Sequence, residues 1–192
     1  MRLQTCQPLR AAAFAALFGL LASAAHPFDD NPRGVYFDFG HAAHGEKGDV
    51  NVATVGMVFP WAPGQPVQQG SFTRYWDVFL SQWNAPPLEA GGHRNYTQIG
   101  AIYTLRYRFG EGSSPWFAEG GVGGTLMDHI YRTSDRSFST AFQFTEVLGI
   151  GRSFGERGEH EVALRVQHFS NADIKKPNPG ETFLRLRYTY RF

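Results

Sequence analysis

The last ten residues of the chain, Phe183-Leu-Arg-Leu-Arg-Tyr-Thr-Tyr-Arg-Phe192, predict the fold of the whole molecule. Large apolar side chains alternate with polar ones along this stretch. One face carries Leu184, Leu186, Tyr188, Tyr190 and Phe192, and the other carries Arg185, Arg187, Thr189 and Arg191. Successive side chains of a β-strand point to opposite faces. Arginines at this spacing exclude a strand in a dry sandwich core, and they fit a strand between lipid and a polar barrel interior.

Seven further strand-like runs precede this strand, and clusters of turn-forming residues separate them. They cover residues 35–40, 49–59, 72–83, 97–109, 116–126, 138–154 and 160–170. Phe192 ends the sequence after alternating aromatic residues, which resembles the C-terminal signal of outer-membrane barrels. We therefore predict an all-β fold, an eight-stranded antiparallel transmembrane β-barrel of the bacterial outer membrane. The alternative is that the last strand is an amphipathic edge strand of a soluble sheet.

The first 24 residues have the three-part pattern of a secretory signal peptide. Arg2 and Arg10 supply positive charge, and residues 11–21 form an apolar segment too short to span a bilayer. Ala22-Ser23-Ala24 matches a cleavage site, so we expect residues 25–192 to form a single outer-membrane β-barrel domain. The alternative for this segment is a short buried helix.

Composition excludes several classes of function. Lys plus Arg number 18 and Asp plus Glu 17, and this balance argues against a nucleic-acid partner. Cys6, the only cysteine, lies in the predicted signal peptide, so no disulfide or cysteine nucleophile is expected. His41 and His44 have no further ligand at a spacing typical of a metal site, and no metal or other cofactor is expected.

A histidine and a serine stand at the outer end of the seventh run. Both ends of an even-stranded barrel lie on the periplasmic side, so this run leads towards the cell surface. His168 and Ser170 have the same parity as Val162, Leu164 and Val166. We therefore expect both side chains to face lipid at the height of the outer leaflet. Alone, a His-x-Ser pattern is weak, because most such pairs are surface residues or part of a polar girdle at the interface.

This pair has the chemistry of an activated nucleophile. Side chains two residues apart on a strand lie on the same face, with Cα atoms about 7 Å apart. A serine hydroxyl becomes nucleophilic when an imidazole accepts its proton, and an acid that fixes the imidazole improves that base. Glu181 enters from the next strand, and we expect it at the same height as His168.

The surrounding sequence resembles one known family. Residues 168–172 are His-Phe-Ser-Asn-Ala, followed by Lys175, Pro177-Asn178 and Gly180-Glu181. This block is similar to the hallmark of the lipid A 3-O-deacylase (PagL) family. The resemblance implies an eight-stranded outer-membrane barrel that hydrolyses the ester-linked acyl chain at position 3 of lipid A and releases a 3-hydroxy fatty acid.

The resemblance also implies roles for individual residues, with two departures. Ser170 would be the nucleophile, His168 the general base and Glu181 its orienting acid. The family commonly has glycine where this chain has Asp173, and Glu181 follows Pro-Asn one residue sooner than in some relatives. No other acid lies between Asp173 and the C-terminus.

Two asparagines are candidates for supporting the reaction. The side-chain amides of Asn171 and Asn178 are able to donate to an oxyanion, the negatively charged oxygen of the tetrahedral intermediate. The alternative for both is an Asx-type turn in a loop that contains Pro177, Pro179 and Gly180.

Two rival functions stay open at this point. A structural or adhesive barrel without chemistry would tolerate changes at all three predicted catalytic positions. An outer-membrane phospholipase would use the same groups on another lipid. The expected partner is lipid A or lipopolysaccharide in the outer leaflet, and a homodimer is a further candidate assembly.

Overall fold

The structure of the protein is a computed structural model, and it describes residues 33–43, 50–61, 68–69, 71–86, 88 and 94–192. The predicted signal peptide, residues 1–24, and Cys6 lie outside the described residues. The first residues of the predicted barrel domain lie outside them as well.

The described chain forms nine β-strands, eight of them long. They are β1 (Gly34–Ala42), β2 (Asn51–Pro60), β3 (Gln68–Gln69), β4 (Phe72–Asn84), β5 (Asn95–Arg108), β6 (Trp116–Met127), β7 (Phe142–Phe154), β8 (His160–Ser170) and β9 (Glu181–Arg191). A single 3-10 turn, Gly110–Gly112, joins β5 to β6. In the described part of the chain, no helix is long and apolar enough to cross a membrane.

All strand pairs are antiparallel, and the sheet closes on itself. Each long strand from β4 to β9 pairs with the next, β9 pairs with β1, β1 with β2, and β2 with β4. The two-residue β3 only extends the start of β4. The predicted eight-stranded antiparallel barrel is confirmed.

The sixth predicted run, residues 138–154, contains a strand as expected. This strand, β7, begins at Phe142. Phe138 instead packs inside the barrel, with its ring centroid 5.0 Å from that of Tyr131. Burial of this ring below the loops outweighs continuation of the ladder, because a large aromatic side chain gains more from the interior than from the surface.

The barrel is apolar outside and polar inside, which is the reverse of a soluble protein. Outward-facing side chains such as Val122 and Leu148 are 61% and 72% exposed. Inward-facing positions on the same strands carry Glu119, Thr125 and Thr145, all buried. We refer to the outward-facing side chains as the outer wall. An apolar outer wall around a polar interior is the pattern of a transmembrane β-barrel.

A network of ion pairs fills the interior. Asp77 accepts from Arg165 at 3.1 Å, from Arg187 at 2.7 Å and from the hydroxyl of Tyr36 at 2.5 Å. Arg187 also bonds Asp38 at 3.1 Å and lies 3.5 Å from the centroid of the Tyr36 ring. Ions removed from water are stable only when they are fully paired, so these contacts offset the cost of burying them.

The outer end of the interior is closed by aromatic rings. We call this group the aromatic cap, and it consists of Trp83, Tyr96, Tyr131, Phe138, Phe169 and Phe183. The ring of Trp83 is 4.9 Å from that of Phe169 and 4.6 Å from that of Phe183. Since Phe169 and Phe183 lie on β8 and β9, the aromatic cap fixes the outer ends of these two strands from inside.

Asp77 is the most direct test of the interior network. Asp77→Ala leaves two buried arginines without their shared carboxylate, and we expect the free energy of unfolding to fall by about 3–5 kcal/mol. Denaturant unfolding of the refolded barrel in lipid vesicles, followed by tryptophan fluorescence, measures this loss. Gln82→Ala, on the outer wall of the same strand, is the control and should change stability by less than about 0.5 kcal/mol. Equal stability of D77A and the parent would contradict a stabilising network.

Candidate active site

The outer end of β8 carries the two predicted reactive side chains on the outer wall. Burial alternates along β8, with Glu161, Arg165 and Gln167 inward. His168 and Ser170 have the opposite parity and are half-exposed. The structure therefore brings His168 and Ser170 to the same outward face, as the strand pattern predicts.

The imidazole of His168 is held by the neighbouring strand. Its Nδ1 lies 2.8 Å from the hydroxyl oxygen of Thr182 on β9, and the two residues are directly paired in the sheet. When Nδ1–H donates to this hydroxyl, Nε2 carries the lone pair and is available as a base. The hydroxyl of Ser170 makes no hydrogen bond to a described residue. Loose hydrogen bonding is common in an enzyme without substrate and does not exclude proton transfer between the two side chains.

Glu181 does not meet His168 in the structure. It is the first residue of β9, it pairs with Phe169, and its side chain is only 2% exposed inside the barrel. One carboxylate oxygen accepts from the hydroxyl of Tyr131 at 3.2 Å, and the other accepts from the backbone N–H of Thr182 at 3.1 Å. Because neighbours on a strand face opposite ways, Thr182 takes the outward place that the sequence interpretation gave to Glu181.

The buried carboxylate of Glu181 holds neighbouring side chains in place inside the barrel, behind His168 and Ser170. Burial, followed by the charge of Glu181, raises the pKa of Tyr131 well above its usual value, so its phenol stays protonated and donates. The guanidinium of Arg136 also approaches the carboxylate, with Nε 4.0 Å from Oε2. Glu181 therefore connects the aromatic cap to Arg136 of the β6–β7 segment, whose Nη1 donates to the carbonyls of Pro179 and Gly180 in the loop that follows β8.

The two predicted oxyanion donors are engaged within that loop. The amide of Asn171 is buried and donates to Ser139 at 2.9 Å and to the carbonyl of Lys175 at 2.8 Å. Asn178 accepts from the backbone N–H of Asn171 at 2.9 Å and donates to Asp173 at 3.2 Å. These contacts fit the Asx-type alternative, in which both asparagines brace the loop.

The backbone beside the serine is in the left-handed region. Ala172 has φ +52° and Asp173 has φ +60°. Aspartate tolerates this conformation better than most side chains do, which accounts for its presence where the resembling family commonly has glycine. The N–H groups of Ala172 and Asp173 donate no hydrogen bond within the described residues, so both are available to a ligand.

Gly180 lets the imidazole lie close to the chain. A Cβ atom at Gly180 would lie 2.7 Å from Cε1 and 3.0 Å from Nε2 of His168. Gly180 also has φ +66°, and its carbonyl accepts from Arg136 at 2.9 Å. In the sequence this glycine is part of the family block, and only the three-dimensional structure shows its approach to the imidazole.

The fold and this site define a class of protein, the small outer-membrane barrels that carry a serine–histidine pair on the lipid-facing wall. The sequence profile of the family described as lipid A 3-O-deacylase (PagL) matches residues 50–191. The chain belongs to the PagL family, and it is an outer-membrane protein.

Individual relatives agree with this assignment. Lipid A deacylase PagL of Bordetella bronchiseptica is 31% identical over 180 residues, which cover 92% of this chain and 95% of that protein. Lipid A deacylase PagL of Pseudomonas aeruginosa is 26% identical over 152 residues, covering 73% and 84%. A crystal structure of the outer membrane enzyme PagL superposes with a TM-score of 0.65 at 22% identity, over 83% of this chain and 99% of that one. At that identity the structural likeness concerns the fold.

Gly180→Ala tests whether the close approach to His168 matters. The added methyl group displaces the imidazole, and we expect the rate of ester hydrolysis to fall about a hundredfold. Gly155→Ala is the matched control, because Gly155 also has a positive φ but lies in the β7–β8 turn at the opposite end of the barrel. Hydrolysis rates and thermal stability are compared for both variants. Equal loss of activity in the two would show that backbone strain, and not the imidazole position, is the cause.

Proposed function

We propose that this protein hydrolyses the ester-linked 3-hydroxyacyl chain at position 3 of lipid A in the outer leaflet, with Ser170 as nucleophile and His168 as general base. The observation that carries the proposal is the joint outward position of these two side chains, within the block that resembles the family hallmark. An acyl ester diffusing laterally in the leaflet meets this face directly, without entering the barrel.

The reaction follows from the two side chains. The Ser170 hydroxyl proton passes to His168 as the serine oxygen bonds to the acyl carbonyl carbon. The tetrahedral intermediate then collapses, the bond to the sugar oxygen breaks, and the imidazolium returns the proton to that oxygen. Water attacks the acyl-enzyme with the same base, which releases the 3-hydroxy fatty acid and restores the serine. No metal or other cofactor takes part in the proposed steps.

For the oxyanion we assign the backbone N–H groups of Ala172 and Asp173. They lie two and three residues after the nucleophile, and neither donates a hydrogen bond within the described chain. Acyl transfer requires such donors for the developing oxyanion. Asn171 and Asn178 support the site by holding the loop that presents these groups.

Thr182, and not Glu181, is proposed as the hydrogen-bond partner that orients the imidazole. The 2.8 Å contact with Nδ1 carries this assignment. A hydroxyl fixes the tautomer as a carboxylate would, but it adds no negative charge to stabilise the imidazolium. The Ser-His-Glu triad expected from the resemblance therefore becomes, in this proposal, a serine–histidine pair oriented by a threonine.

Ser170→Ala tests the proposed function. Without the hydroxyl there is no acyl-enzyme, so we expect deacylation to slow at least about a thousandfold. Purified protein is mixed with lipid A in detergent, and mass spectrometry follows the loss of one 3-hydroxyacyl chain. Ser153→Ala, which changes an interior hydroxyl at the other end of the barrel, is the control for folding. Deacylation by S170A at the parent rate would exclude Ser170 as nucleophile.

Thr182→Val and Glu181→Gln separate the two candidates for orienting His168. Valine keeps the shape of Thr182 and removes one hydrogen bond, so we expect kcat to fall about tenfold. Glutamine keeps an acceptor for Tyr131, and we expect kcat within about twofold of the parent. The reverse order of effects in the same assay would return the orienting role to Glu181.

The same assay decides between this function and its rivals. A phospholipase would release fatty acid from phospholipid vesicles and leave lipid A intact, and a structural or adhesive barrel would do neither. All groups in the proposed mechanism come from one chain, so a homodimer is not required. Analytical ultracentrifugation in detergent determines whether one forms.

A further inference from the structure

The outer wall contains one carboxylate beside the proposed site. Glu146 lies near the middle of β7 on the exposed face, between Phe144 and Leu148, which face the same way. The ladder pairs Glu146 directly with His168 on β8. Directly paired side chains on one face have Cβ atoms about 4.5–5.5 Å apart, so the carboxylate and the imidazole are neighbours.

Nothing in the described chain neutralises this carboxylate. Glu146 makes no ion pair or hydrogen bond to any described residue. Its partner on the other side is Val122 of β6, and Gly120 and Gly124 are the next outward positions on that strand. An ionisable side chain within an apolar, lipid-facing band is costly, and in membrane proteins such a residue generally serves a function. His168 is the only directly paired neighbour that is able to carry the opposite charge.

We propose that Glu146 supplies the negative charge that stabilises the His168 imidazolium during ester hydrolysis. This inference rests on the proposed function and extends it with a further positioning residue. Thr182 holds Nδ1 from the β9 side, and Glu146 is the directly paired residue on the β7 side. The orienting group and the charge, which a single carboxylate combines in a Ser-His-acid triad, are thus divided between two strands.

The other charged groups near the imidazole do not offer the same interaction. On β9 the outward neighbours are Thr182 and Leu184, which are uncharged, and Glu181 is directed inward to Tyr131 and Arg136. On the loop after β8, Lys175 is exposed, and Asp173 and Lys176 form an exposed pair at 3.7 Å. Exposed loop charges are screened by water and salt, whereas Glu146 lies among apolar side chains where screening is weak.

The effect of the charge follows from the reaction. The imidazole becomes an imidazolium as it accepts the serine proton, and a nearby carboxylate stabilises that cation. Glu146 therefore speeds the proton-transfer step, and removal of its charge should lower kcat with little change in KM.

Glu146→Gln is the test, with kcat and KM for lipid A measured separately. We expect kcat to fall at least about tenfold and KM to stay within about twofold of the parent. Glu146→Asp keeps the charge and should retain a kcat within about threefold of the parent. An equal loss of kcat in E146Q and E146D would assign the effect to altered packing.

Two controls separate charge from wall polarity. Leu148→Gln places an amide on the same face of β7 without removing a charge, and Glu156→Gln removes an exposed charge in the β7–β8 turn. Neither should lower kcat by more than about twofold. The double variant E146Q/T182E puts a carboxylate on the other flank of the imidazole and is expected to recover part of the kcat that E146Q loses.

The outcomes distinguish this inference from the proposed function. If E146Q matches the parent in kcat while S170A is inactive, Glu146 has no such role and the esterase proposal is unaffected. If E146Q and E146D lose activity equally, the charge hypothesis is also overturned. If S170A retains activity, the proposed function itself fails.

Discussion

The two-residue period of a closed β-barrel is the constraint on which the rest of this structure depends. Each side chain on a strand must face either the packed interior or the surrounding lipid, and closure leaves no sheet edge where the rule relaxes. A shift of one residue in register would exchange the two sets completely. Arginines and carboxylates therefore lie together inside, and the aliphatic side chains form the outer wall.

The interior of the barrel is filled with side chains, and these side chains support the strands that carry the proposed site. Ion pairs around Asp77 fill the barrel at mid-height, and the aromatic cap closes its outer end. Phe169 and Phe183 belong to the aromatic cap. Phe169 lies between His168 and Ser170 on β8, and Phe183 follows Thr182 on β9. Reactive groups on rigid strands are held more precisely than groups on loops, which suits a substrate that arrives from the membrane side.

The outward direction of His168 and Ser170 could be predicted from the sequence, but the hydrogen-bond partner of His168 could not. His168 and Ser170 follow the phase of three aliphatic residues on one strand, so no long-range information was needed. The alternation along β9 also places Thr182 with Leu184 on the outer wall and Glu181 inside. The role expected for Glu181 took into account its height along the barrel but not the face of the strand on which it lies, although the alternation in the sequence already indicates that face.

Other features needed the three-dimensional structure. Glu146 has the phase of the apolar residues Phe144 and Leu148, and only the β7–β8 register shows that it is paired with His168. The loop contacts of Asn171 with Ser139 link segments 32 residues apart, and no local pattern predicts such a pairing. The inward turn of Phe138 likewise depends on a cavity formed by several other strands.

The central claim is that the reactive serine and histidine face the lipid. A lipid A analogue with a diazirine near the acyl ester would test it by photo-crosslinking in vesicles, with labelled residues mapped by mass spectrometry. The account predicts labels on outward residues near the site, such as Phe144, Val166 and Ser170, and none on Gln167 or Phe169. Labels concentrated on the inward residues of β8, with the outward ones unmodified, would contradict it.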